Sequence, residues 1–303
     1  MRIANTRPLV FRVSFLALTI LAGCVRRGVE PADHPRLAAG TVVRDVSFSS
    51  RALGREMTYR VILPAAVSTK RQLATVYLLH GGGGHYRDWS NYTEVAQFAR
   101  SGFVLVMPEG DYSYYTNAVN PPGNRYEDYI VDDLIADVEA RFPVVRARSR
   151  RAIVGVSMGG FGAVKIALDH PERVAFTAAL SPAIDAARRP FSLRRVKQYR
   201  AMEGIFGPWG STQRMERDPF RAASSALAGA TPFLYLSCGE EDGLLPSNRS
   251  FVAALQTKGL QHEFHVVPGG HDWVHWARQV QAVFAALAAH VQTGDNGPAG
   301  SSN

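Results

Sequence analysis

An α/β architecture, with a mostly parallel central sheet flanked by helices on both faces, is predicted by three features of the 303-residue sequence. Apolar runs of strand length recur without polar alternation, helical stripes fall between them, and a glycine-rich turn carrying a serine joins one run to one helix. Strands buried on both faces read as continuous apolar runs. Their regular alternation with helices specifies a parallel sheet wrapped by helices, in one domain at this length.

Taken in chain order, Arg2, Arg7 and Arg12 precede an apolar run from Val13 to Ala22 that is too short to span a bilayer. It reads as a secretory signal over residues 1–23. Leu21-Ala22-Gly23-Cys24 resembles a bacterial lipobox, which implies cleavage before Cys24 and acylation of its thiol; the bland alternative is an ordinary signal with an unrelated cysteine. A lipid anchor places the protein in the cell envelope, because buried methylenes contribute about 0.8 kcal/mol each. Val25 is not the Asp associated with inner-membrane retention, so the outer membrane or periplasmic side is expected. Residues 24–40, with Pro31 and Pro35, read as a tether. The tail over residues 292–303, rich in Gly, Ser and Asn, is expected to be disordered.

Between these ends, Thr41 to Ser49 and Met57 to Leu63 read as an antiparallel pair around the turn at Gly54. Buried strands are predicted at Ala74 to Leu79, Phe103 to Met107, Ala152 to Val156, Val174 to Leu180, Phe233 to Ser237 and Glu263 to Val267. Ile130, Leu134, Val138 and Phe142 fall four apart and mark the apolar stripe of a helix that starts near Tyr126. Met158 to Asp169, Ser247 to Lys258 and Asp272 to His290 read as helices likewise. Residues 41–291 thus read as one folded domain.

Composition narrows the function. Hydrophobic residues make up 46% and charged residues 20%, the balance of a chain that buries a large core. The formal charge of +8 falls to +5 when the three arginines leave with the signal, and no basic motif interleaved with aromatics points to nucleic acid. With Cys24 acylated, Cys238 has no disulfide partner. No His or Cys spacing suggests a metal, and no cofactor is expected.

Gly155-Val156-Ser157-Met158-Gly159 matches a nucleophile elbow, and its setting between a predicted strand and a predicted helix is the setting that motif requires. A serine hydroxyl is a weak nucleophile at neutral pH and needs a base, which in turn needs an orienting acid. Downstream, Cys238-Gly239-Glu240-Glu241-Asp242-Gly243 puts three carboxylates in one loop after a strand; Asp242 is preferred, with Glu240 and Glu241 as neighbours able to serve as solvated charges or as the acid. His271 follows a strand and the turn Pro268-Gly269-Gly270 directly, where the base is wanted, while His275 lies one helical turn further on and His262 and His265 sit at opposite parity on a strand. The oxyanion hole is expected from two backbone N–H groups, Met158 and, in the loop His80 to Gly84, Gly82 with Gly83 as the alternative. That loop lacks the Lys and Ser or Thr of a phosphate-binding loop.

Together these residues resemble the esterase D family of the α/β-hydrolase fold, which includes S-formylglutathione hydrolases, tributyrin-type, feruloyl and acetylxylan esterases, and a mycolyltransferase branch. The resemblance runs from about Thr41 to Val291 and rests on stretches in order, among them Leu78 to Gly84, Pro108-Glu109-Gly110, Tyr126 to Tyr129, Gly155 to Gly160, Ser181-Pro182, Asp218-Pro219-Phe220, Cys238 to Asp242 and Gly269 to Trp273. It implies a serine esterase acting on small-molecule or carbohydrate esters, with Ser157, Asp242 and His271 as triad and Gly82 and Met158 as oxyanion donors. Acyl transfer to a sugar or lipid, and a non-catalytic surface binding module, are the competing readings. Arg188 to Arg217 is expected to cross the site as a partial cover, and Tyr112, Tyr114 and Tyr115 either line a pocket or pack. Oligomeric state is left open by the sequence.

Overall fold

The computed structural model describes residues 32–66, 72–190 and 196–291. The expected signal over residues 1–23, Cys24 and the tail over residues 292–303 lie outside the described residues, as do residues 191–195 of the basic segment. The fold described lies within the compact unit Asp33–Asn303.

Its strands are β1 (Thr41–Ser50), β2 (Arg55–Pro64), β3 (Ala74–Leu79), β4 (Phe103–Pro108), β5 (Arg151–Val156), β6 (Phe176–Leu180), β7 (Phe233–Gly239) and β8 (His262–Val267). They form one sheet in the order β1-β2-β4-β3-β5-β6-β7-β8. The pairs β1/β2 and β2/β4 are antiparallel and the other pairs are parallel. The helices are α1 (Asp88–Tyr92), α2 (Tyr126–Asp128), α3 (Ile135–Arg141), α4 (Met158–Asp169), α5 (Val196–Phe206), α6 (Thr212–Glu216), α7 (Pro219–Ser225), α8 (Leu245–Lys258) and α9 (Trp273–His290). A π-helical stretch, Tyr129–Leu134, joins α2 to α3, so the helix predicted from Tyr126 is one rod with a widened middle turn. Its stripe of Ile130, Leu134, Val138 and Phe142 is buried as the spacing requires.

The continuous apolar runs are explained by two cores, one on each face of the sheet. Alternate residues of a strand point to opposite faces. Tyr77 and Leu79, Val104 and Val106, and Leu234 and Leu236 feed one core with α4, α8 and the Tyr126 rod. Val76 and Leu78, Leu105 and Met107, and Tyr235 feed the other with Trp89 and the α9 side chains Trp276, Val283 and Leu287. In the central strands β3, β4, β5 and β6 neither face is open to solvent, so their runs show no polar alternation, whereas the edge strand β8, predicted as buried, has none of its residues buried.

The expected tether needs a correction at its end. Asp33 already belongs to the folded unit: its carboxylate accepts from both terminal nitrogens of Arg60 at 2.8 and 2.7 Å, while Asp45 takes Nε and Nη2 at 2.7 and 2.9 Å. The Arg36 N–H adds a bond to the Ser90 carbonyl at 2.8 Å. A buried guanidinium needs carboxylates on its donors, and the first of them precedes the predicted domain boundary. Among the described residues no helix is long and apolar enough to cross a membrane.

Candidate active site

The loops after β5, β7 and β8 leave the same end of the parallel sheet, where ligands bind in open α/β folds. Ladder register aligns the ends, Val156 opposite Leu180 and Leu180 opposite Ser237. Ser157 follows β5 directly and holds φ 53° and ψ −112° as the residue before α4. A non-glycine residue in such a conformation costs about 1–3 kcal/mol and persists only where its surroundings enforce it. They do so here by close approach. A Cβ on Gly155 would stand 2.1 Å from the Gly159 carbonyl oxygen, and one on Gly159 would stand 2.4 Å from that of Leu79. Only glycine at both positions lets α4 start so near the sheet. The turn is closed by Ser157 N–H donating to the Leu180 carbonyl at 2.9 Å, and by the Ser157 carbonyl accepting from Phe161 and Ala183 at 3.0 Å each.

Ser157 Oγ lies 2.8 Å from His271 Nε2, and His271 Nδ1 lies 2.8 Å from Asp242 Oδ2. A carboxylate only accepts, so Nδ1 carries the proton and Nε2 is left to accept from the serine hydroxyl. Asp242 Oδ1 accepts from the Leu244 N–H at 2.8 Å. The Asp242 side chain is 1% exposed and that of His271 36%, so the carboxylate is sealed and the imidazole faces the cleft. Burial works to raise the Asp242 carboxyl, but hydrogen bonds from His271 and the Leu244 N–H outweigh it and hold the carboxyl below its ordinary value. The Trp276 ring meets the His271 ring edge-on at 5.1 Å between centroids.

The other sequence candidates separate cleanly. Glu240 and Glu241 are exposed. His275 is buried on α9, hydrogen-bonded to the Pro268 carbonyl and to Gln279, and His265 pairs with Glu263. Gly82 and Met158 line the same cleft as Ser157 and His271, and their N–H groups meet no backbone or side-chain acceptor among the described residues. Gly83 has φ 76° and is not among the lining residues. Of the tyrosines, Tyr112 and Tyr114 line the cleft, whereas Tyr115 is buried and its hydroxyl accepts from the His80 N–H at 3.0 Å. Asp111, Tyr114 and Tyr115 all have φ between 45° and 56°, so this loop is strained and held in place.

The cleft measures about 550 Å³. Two charged lining residues were not singled out from sequence, Asp185 and Arg189, which form an ion pair at 2.7 Å. Their i, i+4 spacing was the one available signal, submerged in a run of arginines. Of the segment Arg188 to Arg217, Arg189 alone lines the cleft among the described residues, and Phe206 of α5 packs on Tyr114 with centroids 5.2 Å apart. A second residue without an assigned role is Glu109. His80 Nδ1 lies 2.8 Å from the Gly81 carbonyl and Nε2 lies 3.1 Å from Glu109 Oε1, which ties the glycine loop to the end of β4. Burial would raise the Glu109 carboxyl, yet the His80 contact and neighbouring N–H groups bring it down to about 2. Among the described residues no group of three or more His, Cys, Asp or Glu side chains is placed to hold a metal ion.

A chain of acceptor and donor running Asp242, His271, Ser157, opening on a cleft, is able to activate a hydroxyl for attack on a carbonyl carbon. Known proteins carry related sequences. The Esterase family model, described as "Putative esterase", matches residues 50–287. An acetyl esterase of Caldicellulosiruptor saccharolyticus is 27% identical over 258 residues, which cover 80% of this chain and 96% of that protein. Esterase Rv1288 of Mycobacterium tuberculosis is 28% identical over 253 residues, 74% of this chain and 54% of that longer protein. The solved structure of Staphylococcus aureus FphF, a fluorophosphonate-binding serine hydrolase, superposes with a TM-score of 0.71 at 26% identity, covering 82% of this chain and 98% of that one.

Proposed function

From the premise that this chain belongs to the Esterase family and is a serine hydrolase of carboxylic esters with the α/β-hydrolase fold, we propose that Ser157 is its nucleophile, His271 its general base and Asp242 the acid that orients the base. The observation that carries the assignment is the unbroken pair of 2.8 Å contacts linking the three side chains.

Ser157 Oγ bonds to the ester carbonyl carbon as its proton passes to His271 Nε2, and the carbonyl π electrons move onto oxygen. The N–H groups of Gly82 and Met158 stabilise that oxyanion; one such donor is typically worth about 10² to 10³ in turnover. Collapse breaks the bond to the alcohol, which leaves with the proton from His271. Water then attacks the acyl-enzyme, gives its proton to His271, and the acid departs as Ser157 regains its hydrogen. Asp242 stays ionised and steadies the imidazolium.

The substrates proposed are esters of short acyl groups, including acylated carbohydrates, in keeping with the cleft volume of about 550 Å³ and the acetyl esterase relative. Hydrolysis of 4-nitrophenyl acetate, with a serine-directed phosphonate attached to Ser157, is the expected result; active enzyme with Ser157 unlabelled would overturn it. Acetylated acceptor in place of free acetate, in the presence of a glycoside, would redirect the reading to acyl transfer. We further propose that the mature chain is anchored through acylated Cys24 in the bacterial cell envelope, on the strength of Leu21-Ala22-Gly23-Cys24 after a basic and apolar leader. Cys24→Ser is expected to move the protein from the membrane to the soluble fraction, and unchanged membrane recovery would remove the anchor.

A further inference from the structure

We propose that Arg189, braced by Asp185, determines specificity in the cleft by hydrogen-bonding a pair of neighbouring hydroxyls on the alcohol portion of the ester, as a sugar presents them. The inference rests on the esterase reading above and names which esters that site prefers.

Apart from His271, Arg189 is the one basic side chain lining the cleft among the described residues, and of the two lining carboxylates it pairs with Asp185, while Asp242 pairs with His271. Asp185 Oδ1 accepts from Arg189 Nε at 3.2 Å and from Nη2 at 2.7 Å. That leaves Arg189 Nη1 and Asp185 Oδ2, on two side chains that line the cleft, without a hydrogen-bond partner among the described residues. The two side chains are 28% and 31% exposed, enough for a ligand to reach and too little for free rotation.

The segment bearing the pair is itself fixed. Arg214, buried beneath it, donates to the carbonyls of Ala187 at 2.7 Å, Gly207 at 2.9 Å and Arg189 at 3.2 Å. Upstream, the Ala183 N–H holds the Ser157 carbonyl, so the pair keeps a set distance from the nucleophile turn. Ordinary surface ion pairs have no such bracing and contribute little.

Charge decides between ligand classes. The guanidinium is already neutralised by Asp185, so an anion at Nη1 gains little from its charge and is repelled by the neighbouring carboxylate. A vicinal diol has no such conflict, because one hydroxyl accepts from Nη1 while the other donates to Oδ2. Tyr112, 40% exposed and with its ring against Gly82, offers an apolar face for the C–H side of a pyranose. Aromatic rings and precisely placed polar groups are the usual means by which such clefts orient a ligand.

The test compares kcat/KM for methyl 6-O-acetyl-glucopyranoside, the anionic ester O-acetyl-lactate and 4-nitrophenyl acetate in wild type, Arg189→Ala, Arg189→Lys and Asp185→Asn, with thermal melts to verify folding. In Arg189→Ala the ratio of glycoside to nitrophenyl kcat/KM is expected to fall by about tenfold or more, chiefly through KM, since a site built for hydroxyls is left with unpaired polar groups. Asp185→Asn should move the ratio the same way, and Arg189→Lys, which keeps charge but loses the fork, should recover only part of it. A ratio unchanged in all three variants would overturn the proposal and leave a purely structural pair. So would a larger loss on O-acetyl-lactate, which would mark an anion site, or a wild type that turns over the nitrophenyl ester and not the glycoside. A wild type inactive on 4-nitrophenyl acetate would remove the esterase reading itself, and this inference with it.

Discussion

The proposed nucleophile rises from β5, all of whose residues are buried, whereas the proposed base follows the edge strand β8, none of whose residues is buried. Ser157 is held by packing: glycine contacts press α4 against the sheet, and α4 is buried from Met158 to Leu168. His271 is held by polar and ring contacts, to Asp242 on one side and Trp276 on the other. The difference teaches that one catalytic group is positioned by the fold's core and the other by a few directional contacts at its rim. Damage to the first should appear as unfolding, and damage to the second as lost turnover in a folded protein.

The largest expected effect removes chemistry without touching either hold. Ser157→Ala and His271→Ala should each lower kcat by about 10⁶-fold, and the double variant should be no worse, because the residues act as a unit. Steady-state rates beside an unchanged melting curve measure this; additive losses would mean that the two side chains work independently.

The comparison itself is sharpened by one methyl group on each side. Gly159→Ala places a Cβ 2.4 Å from the Leu79 oxygen in the core, and Gly239→Ala places one 2.1 Å from the Gly269 oxygen, where the Asp242 and His271 loops meet. The first should cost more than about 3 kcal/mol, at or beyond the usual range for overpacking. The second should cost about 1–3 kcal/mol despite the closer contact, since β8 has room to shift, while turnover falls as the two loops part. Denaturant midpoints in the reverse order would break the distinction between core and rim.

An effect comparable in size to that at Gly239 concerns a polar hold on the nucleophile side. Glu109 sits at about 2 in the fold against an ordinary carboxyl near 4.5. A carboxyl lowered by folding stabilises the native state in full above its unfolded value and loses that contribution as pH falls toward the folded one. Glu109→Gln should therefore destabilise by about 2–3 kcal/mol at neutral pH. The gap from wild type should close as pH drops from about 5 to about 2, in urea melts across that range. A gap independent of pH would show that packing, and not ionisation, accounts for the loss.

The rim also marks where sequence reading stops. Ser157 and His271 are 114 positions apart and meet at 2.8 Å. Their roles were legible because each follows a strand by a glycine-rich turn, which is a local signal. The Tyr112, Tyr114 and Tyr115 cluster was legible as a group but not as individuals, since which of the three faces the cleft depends on the loop's left-handed backbone. Asp33 was read as tether because nothing nearby in sequence reveals that its partner is Arg60. Helices α6 and α7 went unpredicted because at five and seven residues they are too short to show a period, whereas α5 does carry a stripe, Met202, Ile205 and Phe206, which its arginine-rich surroundings in sequence obscured.

By itself the sequence determined the strands, the long helices, the two-faced core and the order in which serine, acid and base come to one end of the sheet. All of these follow from period, apolar run length and turn residues, which act within a dozen positions. Only the tertiary structure decided which carboxylate of three is sealed behind His271, which tyrosines face the cleft, and that Asp185 and Arg189 stand on its wall. Those outcomes depend on strand register and loop path, which bring distant residues together through contacts that no local pattern encodes.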